Sequence, residues 1–87
     1  PEYAFLFADL AGYTALTEAH GDEGGATVAT RFHELTRAAL DGAELVKTLG
    51  DGVMVVAPDV PTAVRVAEQL TKQVSAQTDF PAVRVGI

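Results

Sequence analysis

Residues 44–57, ELVKTLGDGVMVVA, hold the strongest structural signal in the chain. Two β-rich runs, 43–49 and 53–57, are joined through Gly50, Asp51 and Gly52, and an Asp-Gly pair between hydrophobic runs is a strong short-range hairpin signal. After the hairpin, Pro58 and Pro61 stop the second run, and Asp59 is placed to cap the next helix. In PTAVRVAEQLTKQV, Ala63, Val66, Ala67, Leu70 and Val74 share one helical face, and AVRVGI reads as a last strand.

On the other side of the hairpin, 26–40 places Val28, Phe32, Leu35 and Ala39 on one face of an amphipathic helix, with Arg31, Glu34 and Arg37 elsewhere. HGDEGG, 20–25, reads as a polar loop, and Thr14 as the cap of a short helix over ALTEAH. YAFLFAD, 3–9, is a short continuous apolar run ending in a carboxylate, the pattern of a strand buried on both faces. The order is βαββαβ, which is α+β and ferredoxin-like, an antiparallel sheet with helices on one face. Residues 1–87 are too few for two cores and form one domain.

Composition narrows the function. Hydrophobic residues make up 48% and charged residues 21%, a globular balance. The net charge of -6, with six Lys and Arg spread singly, offers no basic stripe and argues against nucleic acid as partner. With no cysteine, disulfides and thiolate metal sites are excluded, and a reducing cytoplasmic location is the default. The longest apolar run, around Asp9, falls short of the roughly 20 residues that span a bilayer, so no membrane contact is expected from this segment. Both ends read as cut: Pro1 and Glu2 stand directly against an apolar run, and VRVGI is a strand that stops in mid-phrase. A longer polypeptide is expected.

In a ferredoxin-like sheet the strands lie in the order 4-1-3-2, so the end of the first strand neighbours the start of the third. Asp9 closes one and Asp51 opens the other, so two carboxylates distant in sequence should meet at one sheet edge. Such a pair repels unless a cation sits between, and a divalent metal is the simplest remedy. The oxygen-only donor set points to Mg²⁺ or Mn²⁺. Directly after Asp9 the chain turns through Gly12, Tyr13 and Thr14 into a helix N-terminus, whose free N–H groups favour an anion. Metal carboxylates beside a phosphate cradle make a nucleoside triphosphate site.

Each residue also has a plainer reading. Asp51 suits a turn because Asp tolerates positive φ, Asp9 could cap the next helix, and Lys47 could be a solvated strand residue. His20 and His33 read as surface or packing residues, and Glu18, Asp22 and Glu23 as a solvated acidic patch.

FLFADLAGYTALTE and ELVKTLGDGVMVVAPD, in this order and spacing, resemble the two metal-binding segments of class III nucleotidyl cyclases. The resemblance implies attack of a ribose 3′-hydroxyl on the α-phosphate of a triphosphate, giving a 3′,5′-cyclic monophosphate and pyrophosphate, a phosphorus-oxygen lyase reaction. It implies two metal ions held by Asp9, Asp51 and the carbonyl of Leu10, phosphates over Gly12, Tyr13 and Thr14, and Lys47 reading adenine, hence ATP and cyclic AMP. It implies head-to-tail homodimers in which the lysine serves the neighbouring protomer. Family domains continue past this length, and their later Asn and Arg have no counterpart here, so residues 1–87 are expected to form the N-terminal half of the domain, inactive alone. The alternatives are a cyclase-like dimerisation or nucleotide-sensing module without catalysis, and a diguanylate cyclase relative, whose hairpin carries a GGDEF-type sequence absent here.

Overall fold

The computed structural model describes residues 2–87; Pro1, on which the expectation of a cut N-terminal end partly rests, lies outside them. The chain forms β1 (Ala4–Leu10), α1 (Tyr13–Ala38), β2 (Glu44–Leu49), β3 (Gly52–Ala57), α2 (Val60–Ser75) and β4 (Val83–Gly86). The strands make one sheet in the order β2-β3-β1-β4, with β1 antiparallel to both β3 and β4. This is the expected ferredoxin-like order.

Strand alternation explains how the layers form. Leu6, Ala8 and Leu10 of β1 and Val53 and Val55 of β3 point to one face. There they pack with Phe32 and Leu35 of α1 and Val66, Leu70 and Val74 of α2. The expectation that β1 is buried on both faces is corrected. Tyr3, Phe5 and Phe7 are 65%, 44% and 55% exposed, because both helices lie on the same side and none of the described residues forms a layer over the aromatic one.

The loop expected at 20–25 is also corrected. Only Gly21 leaves helical geometry (φ 78°, ψ 174°), and α1 continues through the kink. The later glycines answer to packing: a Cβ on Gly25 would lie 2.6 Å from Thr17 Oγ1, and the Tyr13 hydroxyl donates to the Gly25 carbonyl at 2.9 Å. Nor is Thr14 the cap of α1. Gly12, in the left-handed region (φ 73°, ψ 16°), takes that position with no side-chain hydrogen bond, and Thr14 lies within the helix.

Asp59 does cap α2, accepting from the Thr62 amide at 2.8 Å. Hydrogen bonds from the Thr62 side chain and amide hold its carboxyl below the usual range. A depressed carboxyl contributes stability that is present above its unfolded value, near pH 4, and lost as pH falls through the folded one. Asp59→Ala therefore lowers the melting temperature by a few degrees at pH 7. The difference from the parent shrinks in melts near pH 3.

Candidate metal and triphosphate site

Antiparallel pairing of β1 with β3 puts the end of one strand beside the hairpin turn preceding the other. The last β2–β3 pair is Leu49 with Gly52, so Gly50 and Asp51 alone make the turn. Gly50 takes the positive φ (56°). Asp51 does not, so the plain account of Asp51 as the left-handed turn residue fails. Its side chain turns inward instead, and Oδ2 accepts from the Leu10 amide at 3.0 Å. Asp51 and Leu10, far apart in sequence, are in direct contact as the strand order requires.

Asp9, one residue earlier, faces the open side of the sheet. Its Oδ1 accepts from Arg84 Nε at 2.8 Å, across the Asp9–Arg84 register of β1 and β4. It does not cap α1. The guanidinium is held above its ordinary value first by this hydrogen bond and the Asp9 charge, with Asp51 adding to the effect. The repulsion expected between the two carboxylates thus meets a cation from within the chain, and a metal ion is not required on that ground alone. Sequence reasoning missed Arg84, treating VRVGI only as a strand. An arginine on the strand destined to pair with β1 was the available signal.

Gly12, Tyr13 and Thr14 follow at the N-terminus of α1. The Ala11 amide is spent on the Ala82 carbonyl at 2.7 Å, and helical bonding starts with Leu16 N–H to the Gly12 carbonyl at 3.0 Å. The amides in between have the geometry of a helix N-terminus, where anions are favoured. The Tyr13 hydroxyl is engaged at Gly25, so any phosphate role for that residue falls to its backbone.

Lys47 stands on the open face of β2 and pairs with Met54, which pairs in turn with Phe7. Two strand spacings, about 10 Å, separate it from β1. Lys47, Met54, Phe7, Asp9 and Arg84 line one cleft of about 560 Å³, within the range of small-molecule sites. Lys47 and Asp9 therefore share a cleft but stand on strands separated by β3.

The donor chemistry suits Mg²⁺ or Mn²⁺. Each aspartate makes one side-chain hydrogen bond, through Asp9 Oδ1 and Asp51 Oδ2, so its second oxygen is available. Among the described residues no three His, Cys, Asp or Glu cluster as a metal cage. Two carboxylates with remaining positions left to water and phosphate is the ordinary way such ions are held at nucleotide sites.

His33, expected as a surface or packing residue, reaches the same turn: its Nε2 lies 2.8 Å from the Gly50 carbonyl. His20 makes no such contact and lies beside Gly24 on α1.

No protein-family model matches the chain. It is 43% identical over 84 residues to an adenylate cyclase of Streptomyces griseus, a match covering 93% of this chain and 21% of that protein. The chain spans about a fifth of the length of the curated relatives it matches. Its fold superposes with a TM-score of 0.87 on the monomeric guanylyl cyclase domain of the RhoGC fusion protein from the aquatic fungus Blastocladiella emersonii, at 18% identity, covering 97% of this chain and 57% of that one. An EAL/GGDEF domain protein from M. capsulatus gives 0.82 at 20% identity, covering 97% and 61%. The sheet is therefore common to both groups, and the fold alone does not separate them. The GDG hairpin and the curated relatives, all adenylate cyclases by name, do, and they support a class III nucleotidyl cyclase domain.

Proposed function

We propose that this chain is the N-terminal half of an adenylate cyclase catalytic domain whose intact form converts ATP to 3′,5′-cyclic AMP and pyrophosphate. The observation that carries this reading is the Leu10 amide hydrogen bond to Asp51, which seats the two motifs against each other beside the α1 N-terminus. Asp9, Asp51 and the Leu10 carbonyl would hold two Mg²⁺ or Mn²⁺ ions. Bound there, such ions would supply a lowered pKa for the attacking ribose hydroxyl and positive charge against the triphosphate.

The chain's own residues bind and orient. The amides of Gly12, Tyr13 and Thr14 face phosphate oxygens, and Arg84, already paired with Asp9, adds a fixed cation at the same edge. The local field is thus suited to a polyanion although the chain as a whole is acidic. Lys47 donates to adenine. Its place about two strands from β1 fits a role toward the nucleotide of a neighbouring protomer in a head-to-tail homodimer better than toward its own metal pair. No described helix is long and apolar enough to cross a membrane; a cytoplasmic location is part of the proposal.

The test is product identification from ATP and GTP with the full-length protein and Mn²⁺. Cyclic AMP should dominate, and Lys47→Glu should shift the ratio toward cyclic GMP by about 10-fold or more, the worth of one base-reading hydrogen bond at roughly 1.5–3 kcal/mol. No cyclic nucleotide from either substrate would leave the non-catalytic module as the reading. Equal use of both by the parent would remove the role given to Lys47.

A further inference from the structure

We propose that His33 is a positioning residue for Asp51, fixing the two-residue turn so that the aspartate is free to act as a ligand. The inference rests on the proposed metal site, and concerns a residue outside the two motifs. A carbonyl only accepts, so the 2.8 Å contact requires His33 Nε2 to carry a proton and donate it to Gly50. His33 is half-buried on α1, directly after Phe32, which is fully buried in the core. The donor therefore stands on a rigid element.

The turn it holds has little other support. β2 is an edge strand, its ladder is interrupted by a register shift between Leu45 and Lys47, and Leu49 is 69% exposed. A side chain at Gly50 would meet nothing within 4 Å. Among the described residues, two side-chain hydrogen bonds reach the turn: Asp51 to the Leu10 amide and His33 to the Gly50 carbonyl. Without His33, Asp51 would be the one side-chain tether of the turn among the described residues, beside the Leu49–Gly52 strand pairing, and the same carboxylate would serve as both anchor and ligand. Partners that orient ligating groups typically contribute 10–100-fold in metal affinity. His33 acts one residue away from the carboxylate, so the lower end applies.

The experiment compares the parent chain with His33→Leu, which removes the donor, and His33→Gln, which keeps one. Two readouts are taken: hydrogen exchange of the Asp51 and Gly52 amides without metal, and Mn²⁺ affinity by calorimetry. His33→Leu should speed exchange at the turn and weaken Mn²⁺ binding about 10-fold, with melting temperature nearly unchanged; His33→Gln should restore most of both. Exchange at the turn unchanged in His33→Leu overturns the proposal, as does a Mn²⁺ affinity equal to the parent's. Failure of the parent chain to bind Mn²⁺ at the aspartates would instead overturn the metal reading, while the exchange measurement still decides whether His33 orders the turn.

Discussion

Asp51→Asn in the full-length protein is expected to lower cyclic nucleotide formation by about 10²–10³-fold, the order lost when one group stabilising transition-state charge is removed. The choice of asparagine matters. Its side-chain oxygen can still accept from the Leu10 amide, so the 3.0 Å bond that seats the turn can survive while the negative charge does not. Asp51→Ala removes both and confounds ligand loss with misplacement of the hairpin. The pair should therefore separate: near-parental melting temperature with lost activity for asparagine, and lost activity with reduced stability for alanine. Initial rates against Mn²⁺ concentration, with a thermal melt of each variant, check this.

The second large effect is on the fold. Phe32 is fully buried where α1 meets the sheet, and Phe32→Ala is expected to cost about 3–5 kcal/mol. At roughly 0.05–0.15 kcal/mol per residue, that is a large fraction of what a domain of this size has, and the variant should be partly or wholly unfolded at 37 °C. Phe7, of the same chemistry, is 55% exposed on the uncovered face, and Phe7→Ala should change stability by less than about 1 kcal/mol. Urea melts followed by circular dichroism distinguish the two. Comparable losses would mean that the aromatic face of β1 is covered after all.

That contrast marks where sequence reasoning succeeds and where it stops. The hairpin, the element order and the α2 face were legible because each rests on local chemistry: the glycines around Asp51, the prolines after β3, the Asp59 cap and helical spacing. The strand order then came from topology, and with it the meeting of Asp51 with the end of β1. The unreadable parts depend on partners distant in sequence. YAFLFAD is apolar on both sides, and nothing within it says that one side lacks a layer. HGDEGG looks like a loop, yet Gly25 is required by contacts with Thr17 and Tyr13 across the Gly21 kink. Arg84 and His33 gained meaning only when β4 was paired with β1 and α1 was laid against the turn.

The proposed chemistry requires that Asp9, Asp51 and the adjoining turn form one cation and phosphate site. Paramagnetic broadening by substoichiometric Mn²⁺ in the ¹⁵N spectrum of this chain tests that at the residues concerned. The amides of residues 9–12 and 50–52 should broaden first, and Asp51→Asn should abolish that pattern. Broadening that begins instead at the acidic stretch around Glu18, Asp22 and Glu23, and is indifferent to Asp51→Asn, would contradict it.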